Sequence, residues 1–177
     1  MIDYSILAKS VEYYEARGYK QIESPWYIPR KISEITTPPG YPFFTIKEKD
    51  EVLVASGEQS LLSLYNLGHL PKGKFQTITP CFREESITQW NHKYFMKNEL
   101  MITDFVNVGT LSSVIDDALS FFRQWVDVDV VDLKNGTFDI VYKNIELGSY
   151  GIRSCSFISW VYGTGVAEPR LSRAKGL

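Results

Sequence analysis

Between residues 80 and 100 the chain reads PCFREESITQWNHKYFMKNEL. Arg83 stands two positions before Glu85, and in an extended strand side chains two apart project from the same face. The planar guanidinium of arginine presents a fork of donors that matches two oxygens of a phosphate. A carboxylate on that face can orient the arginine or accept from a purine amino group. After a polar loop, residues 86–92, Phe95, Lys97 and Glu99 again alternate onto one face, so that a ring, a cation and an anion lie opposite Arg83. A flat π surface beside basic groups suits an adenine that carries phosphates. A surface hairpin with cross-strand ion pairs would use the same residues. The choice between the two rests on whether the rest of the chain supplies partners for a phosphate.

The bounds are those of a globular protein. The 177 residues are 44% hydrophobic and 23% charged, which suits one domain over 1–177 with a core large enough to hold a structured site. A net charge of −2 gives no bulk attraction for nucleic acid, so any RNA contact needs a local patch. Cys81 and Cys155 are the only cysteines and form no CxxC pair, which argues against a zinc site or a disulfide framework and for a cytoplasmic location. The N-terminal stretch is interrupted by Asp3, Lys9, Glu12 and Glu15, so it is expected to be neither a signal peptide nor a membrane span.

The elements that must position the opening cluster follow from periodicity. Residues 3–17 are spaced as a helix, with Asp3 as N-cap and Gly18 as stop. Pro25 and Pro29 keep the next stretch extended. Residues 43–54 read as a hairpin turning at the charged KEKD. A helix starts after Ser56 with Leu61, Leu62 and Tyr65 on one face, the stretch 74–84 alternates as a strand, and 92–109 begins another. TLSSVIDDALSFFRQW is expected as a helix capped by Thr110. Further on, VDVDVVDL and TFDIVYKNIEL form a hairpin with Asn135-Gly136 as its two-residue turn. RSCSFISWVYGTGV is one more strand, and AEPRLSRAKGL begins a helix. Strands joined mostly by hairpins predict an α+β fold, an antiparallel β-sheet flanked by helices.

The segment FREE (82–85), the loop 86–92 and YFMKNEL (94–100) together resemble motif 2 of the class II aminoacyl-tRNA synthetases, and TPCFREE with Phe-x-Lys-x-Glu resembles the seryl-type enzymes in particular. The resemblance implies that Arg83 holds the α-phosphate of ATP, that Glu85 reads the adenine amino group and that Phe95 stacks on the base. GTGVAEPRL (163–171) resembles motif 3, a glycine-bearing strand leading into a helix with an arginine near its start. Gly163 and Gly165 would let a nucleotide approach the backbone, and Arg170 at a helix N-terminus would meet the γ-phosphate. Pro169 stands where many members have Glu, and proline is tolerated in a first helical turn. An ordinary glycine turn remains the alternative for this segment.

NIELGSYGIR (144–153) resembles the Glu-Leu-Gly strand of the aspartyl-type branch, in which a Glu and a small hydroxyl residue three positions later hold a magnesium ion. Glu146 and Ser149 have that spacing, and Mg²⁺ accepts one or two carboxylates completed by phosphate oxygens and water. The alternative is a buried strand Glu paired with Arg153. GYKQIESPWYIP (18–29) resembles motif 1, which implies a homodimer interface. Glu58, in VASGEQSLL, sits where relatives carry an acid for the substrate amino group; helix N-capping competes for it. With Glu58, Lys97 and Glu99 complete the expected substrate contacts.

The chemistry implied is activation of an amino acid. Its carboxylate attacks the α-phosphorus of ATP, pyrophosphate leaves and an aminoacyl-adenylate remains. Such a reaction needs alignment and charge neutralisation but no covalent nucleophile. Transfer to tRNA or another acyl acceptor would follow. His92 in the loop is read as a plain loop residue or a pyrophosphate contact, and His69 as a turn residue. No tRNA-binding domain is left over in these residues, and no membrane contact is expected. A non-catalytic relative that binds ligands or regulates a partner is the rival reading.

Overall fold

The computed structural model describes residues 1–176, so the last residue of the expected terminal helix lies outside it. The first helix, α1 (Tyr4–Glu15), begins at Asp3, whose carboxylate accepts from the amides of Ser5 and Ile6. It buries Ile6, Leu7, Ser10 and Tyr14 at helical spacing and ends before Gly18, which takes the left-handed φ of 85°. Short strands β1 (Lys20–Gln21) and β2 (Tyr27–Pro29), the turn of helix α2 (Arg30–Ser33) and β3 (Glu51–Leu53) precede α3 (Gly57–Asn66). Then come the long strands β4 (Lys74–Phe82) and β5 (Tyr94–Ile102), helix α4 (Val108–Phe122), strands β6 (Asp129–Asp132), β7 (Thr137–Tyr142), β8 (Ile145–Ser154) and β9 (Ser159–Glu168), and the short helix α5 (Arg170–Ala174).

Seven strands form one sheet in the order β1-β4-β5-β9-β8-β7-β6. It is antiparallel except at one edge, where β1 runs parallel to β4. The α+β expectation is met: helices flank a mostly antiparallel sheet. Alternation sorts the side chains. Leu100, Ile102, Val161 and Val166 join α1, α4 and α5 in the core on one face. On the other face, Phe75, Met101, Trp160 and Tyr162 pack with residues of α2, α3, β2 and β3 in a second core. This second cover is partial, and the uncovered part of that face is the cleft described below.

A buried polar chain fastens α1 to the sheet. Asn98 Nδ2 donates to Ser10 Oγ at 3.0 Å and to Gln76 Oε1 at 2.9 Å, while Gln76 Nε2 donates to the Val11 carbonyl at 3.0 Å. Beside it the Tyr14 hydroxyl donates to the Gly165 carbonyl. The β5–β9 register shifts between Asn98 and Glu99, a bulge at which Gly165 is the extra residue on β9.

Several local expectations need correction. Helix α4 starts at Val108, and its cap is Asn107, whose side chain accepts from the Thr110 amide; Thr110 itself lies inside the first turn and donates its hydroxyl to the Phe105 carbonyl. The β6–β7 connection is a four-residue loop, 133–136, closed by the Leu133 amide on the Thr137 carbonyl, rather than a two-residue turn at Asn135-Gly136. The tight turn falls at Lys143-Asn144, both with positive φ, and divides the expected strand 137–147 into β7 and β8. The stretch expected as one strand from Arg153 onward is likewise two, β8 and β9, joined through residues 155–158. The full partner of β3 is β2, and the expected hairpin to 43–46 keeps one isolated bridge, Thr45 to Val52.

A Cβ on Gly163 would lie 2.7 Å from Cδ1 of Tyr150 and 2.9 Å from Cγ1 of Val114, both fixed in the helix-side core. Gly163→Ala is expected to destabilise the fold by about 1–3 kcal/mol through overpacking. Urea unfolding should show a lower midpoint at an unchanged slope.

Candidate functional site

The open part of the sheet face is a cleft of about 450 Å³. Its walls include Arg83 and Glu85 just past the end of β4, Lys97 and Glu99 from β5, Ser56 and Glu58 at the start of α3, and Asp139, Glu146, Ser149 and Arg153 from β7 and β8. A much smaller void beside it is lined by Glu85, Phe95 and Arg170 together with Trp90, Asn91 and His92. Glu85 borders both spaces. Residues separated by most of the chain are therefore brought to one place: Arg83, Glu85, Phe95, Glu146 and Arg170 surround the junction of the two.

Arg83 is not on a strand, because β4 ends at Phe82. Its Nε donates to the Ala55 carbonyl at 3.2 Å, its guanidinium carbon lies 5.1 Å from the centre of the Phe95 ring, and Glu85 is 3.9 Å away. The Tyr41 hydroxyl donates to Glu85 at 3.2 Å. Arg170, the first residue of α5, donates to the Glu146 carbonyl at 3.2 Å and lies 3.6 Å from its carboxylate. The expected alternative partner of Glu146, Arg153, is engaged elsewhere.

That partner is Glu58. Its side chain is 4% exposed, accepts from the Trp160 indole at 2.6 Å and pairs with Arg153 at 2.5 Å, and Arg153 in turn covers the Tyr162 ring at 4.0 Å. Burial pushes the Glu58 carboxyl above its usual range, and the Arg153 cation and the Trp160 donor oppose that. Glu58 is not the helix cap; Ser56 caps α3 by accepting from the Glu58 amide. Both carboxylate oxygens thus have donors within the chain, so the acid expected to take a substrate amino group is already engaged. Lys97 and Glu99 are similarly engaged, with each other at 2.8 Å, and the Ser56 hydroxyl donates to Glu99 at 2.5 Å. Glu99 is 1% exposed yet lines the cleft.

Gly163 and Gly165 border neither space among the described residues. Their missing side chains make room for Tyr150 and Val114 at one position and for Tyr14 and Asn98 at the other. The glycines are required by packing against the helix layer, and it is Thr164 between them that lines the cleft.

Asp139 is the site residue that sequence reasoning missed. It pairs in register with Ser149 across β7 and β8, its Oδ1 is buried without a hydrogen-bond partner, and burial raises its pKa against the pull of the Ser149 hydroxyl. In TFDIVY the single Asp139 was legible only as one polar position of an alternating strand; the partner strand had to be known first. Among the described residues no group of three His, Cys, Asp or Glu side chains could hold a metal ion. Mg²⁺ does not need three. Asp139, Glu146 and Ser149 offer the oxygen donors it takes, one with an unmet acceptor, and leave positions for phosphate and water.

The remaining candidates are quiet. Burial pushes the Cys81 thiol up to about 11, so it is no thiolate nucleophile. His92 touches Arg173 and its pKa is lowered by burial and by that arginine, which leaves it neutral. His69 follows the C-terminus of α3, its amide bonded to the Leu64 carbonyl. No described helix is long and apolar enough to cross a membrane.

No protein-family model matches the sequence, and no curated protein sequence does either. Solved structures do match. A pyrrolysyl-tRNA synthetase from Desulfitobacterium hafniense superposes with a TM-score of 0.79 at 17% identity, over 97% of this chain and 68% of that one. Seryl-tRNA synthetase from Pyrococcus horikoshii, solved with ATP, gives 0.78 at 15% identity over 97% of this chain and 49% of its own. The cytoplasmic serine-tRNA ligase from Naegleria fowleri, solved with AMP, gives 0.68 at 16% over 93% and 51%. The chain has the fold of a class II aminoacyl-tRNA synthetase catalytic core. It spans about half the length of the two seryl enzymes and about two thirds of the pyrrolysyl one.

The Glu58 arrangement is open to measurement. Breaking a buried ion pair typically costs about 3–5 kcal/mol. Arg153 is 39% exposed, so water screens part of the pair, and Arg153→Met is expected to cost about 1–3 kcal/mol. Burial already holds the Glu58 pKa above its unfolded value of 4.5, and removing the cation that opposes burial raises it further. The folded variant then holds the proton more tightly than the unfolded chain. The pH-dependent part of the penalty is therefore absent below the unfolded value and grows as pH rises through the raised one. Denaturation of variant and parent across this pH range should show the gap widening upward.

Proposed function

We propose that this protein activates an amino acid with ATP. The observation that carries the reading is the gathering of Arg83, Glu85, Phe95, Glu146 and Arg170, from four separate elements and loops, around one junction at the open face of the sheet. The same fold in synthetases solved with ATP and with AMP supports it.

The ground-state amino acid carboxylate is already ionised, so the first step needs no base. One carboxylate oxygen forms a bond to the α-phosphorus as the bond to the bridging oxygen of pyrophosphate breaks, and pyrophosphate carries away the electron pair. Arg83 faces the α-phosphate, where its fork neutralises charge that builds in the transition state. Phe95, already beneath that guanidinium, supplies the stacking surface for adenine, and Glu85 accepts from the amino group of the base. Arg170 exchanges its Glu146 contact for the γ-phosphate. Mg²⁺ held by Glu146, Asp139 and Ser149 would neutralise the leaving pyrophosphate. Glu99, with Ser56 and Lys97 around it, receives the substrate ammonium, which can replace Lys97 as its cation. Glu58 acts behind these groups by fixing Arg153.

Transfer of the aminoacyl group to tRNA or another acceptor is the second step of this reading, in a homodimer formed through residues 18–29, where Trp26 and Tyr27 are half exposed. A non-catalytic ligand-binding module is favoured by one observation: each cation of the larger cleft already has a carboxylate within 4 Å, so the residues are self-neutralised.

ATP–pyrophosphate exchange across the amino acids separates these readings. Arg83→Ala is expected to reduce exchange by at least 10²-fold, the scale of losing one donor to a developing charge, with circular dichroism and melting unchanged. Exchange retained in that variant removes Arg83 from the reaction. ATP binding without exchange for any amino acid favours the binding module. Light scattering at micromolar concentration tests the dimer, and a monomer there would remove 18–29 as its interface.

A further inference from the structure

We propose that residues 86–92 form a latched gate over the nucleotide base site, with Trp90 as the occluding side chain and Arg173 of α5 as the latch. The inference rests on the ATP-binding reading above and adds to it a closed state of the free protein.

The two residues expected around the base, Glu85 and Phe95, line with Arg170, expected at the γ-phosphate, a void of only about 10 Å³. A space of that size holds about one water molecule, and no purine. The remaining walls are Trp90, Asn91 and His92 from the loop, and Pro169. The space that should receive a base is closed by the loop itself. The larger cleft, which shares Glu85, stays open at about 450 Å³. Occlusion is therefore confined to the base end, and a triphosphate can enter the site fully only after the loop swings away.

The loop is held in that position by specific contacts. Arg173 donates to the Gln89 carbonyl and to Nε2 of His92, bridging loop and helix across 84 and 81 residues of sequence. A neutral His92 can accept that bond, and the lowered pKa keeps it neutral. Within the loop the Thr88 hydroxyl accepts from the amides of Trp90 at 3.1 Å and Asn91 at 2.9 Å, which makes 88–91 a compact turn that moves as a unit. At its base the Arg83 amide donates to the Lys93 carbonyl at 2.9 Å, and Lys93 pairs with Glu84 at 2.5 Å. This base places the hinge directly beside Arg83. The latch is independent of the site's own charges: Arg173 touches neither the larger cleft nor the smaller void.

If the loop closes the base site most of the time, apparent ATP affinity is reduced by the open fraction. The test uses Trp90→Ala, which empties the occluded space, and Arg173→Met, which removes the latch while keeping an apolar stem on α5. Mg-ATP binding without amino acid is measured by calorimetry, and amide exchange of the peptide 84–94 by mass spectrometry. The expected result is ATP binding tightened about fivefold to tenfold in both variants, the inverse of an open fraction of roughly 0.1–0.2. Amide exchange in 84–94 should be faster in Arg173→Met and unchanged elsewhere. ATP binding to parent and variants with equal affinity, or loop exchange untouched by Arg173→Met, overturns the gate and leaves the ATP reading standing. No ATP binding by parent or by either variant overturns the nucleotide site itself, and the gate with it.

Discussion

The carboxylate of Glu58 is the point on which the cleft is built. It is almost fully buried, and an unpaired buried charge would be costly. Two donors remove that cost: Trp160 from β9 and Arg153 from β8. Since Glu58 sits in the first turn of α3, satisfying it pulls that turn onto the sheet and fixes Ser56 against Glu99. Gln59, one residue on, bonds the Ser33 carbonyl and the hydroxyls of Thr36 and Thr37, so the segment 33–37 is tied to the same turn. One acid thus sets the position of the wall, the rim and the floor. Its partner Arg153 lies over the Tyr162 ring of the floor, 4.0 Å from the ring centre.

The second theme is preneutralisation. Arg83 with Glu85, Lys97 with Glu99, Arg153 with Glu58 and Arg170 with Glu146 make four ion pairs around a single site. In a free protein this keeps like charges apart and spares each group the cost of burial alone. A ligand that carries both an ammonium and phosphates can exchange into several pairs without leaving any charge uncompensated. Asp139 differs: its buried oxygen has no donor at all, which is the arrangement expected where an external cation completes the shell.

Much of this was legible in the residues. Asp3 before α1, Ser56 before α3, and the alternation along 74–82 and 94–102 depend on neighbours in sequence, and the structure places them as expected. The cluster at 82–85 and the distant Arg170 were picked out by resemblance to motifs 2 and 3, and the structure brings them to adjoining spaces. What was not legible came from pairing across long separations. The partner of Glu58 lies 95 residues away in Arg153 and 102 away in Trp160, so sequence spacing offered only the local role of a cap. The same holds for Asp139, whose meaning comes from Ser149 on the neighbouring strand, and for Gly163, which responds to a ring on β8 and a valine on α4. Asn107 displaced Thr110 as the cap because both residue types suit that position, and the start of the apolar run does not fix which one the helix uses.

The position of β9 between β5 and β8 has a consequence for how the chain acquires its site. The ladders β4–β5 and β6–β7–β8 are each local hairpins, and β9, though it follows β8 by a short loop, must also pair with β5 from far earlier in the chain. Local pairings form faster than those that close long loops. During synthesis the two hairpin groups can take shape first, but they present separate fragments of the cleft, with Arg83 on one and Glu146 on the other. Only insertion of β9 zips the halves together, and it carries Trp160 and Arg170 in with it. The nascent chain therefore gains its whole cleft in one late step, when β9 seats against β5.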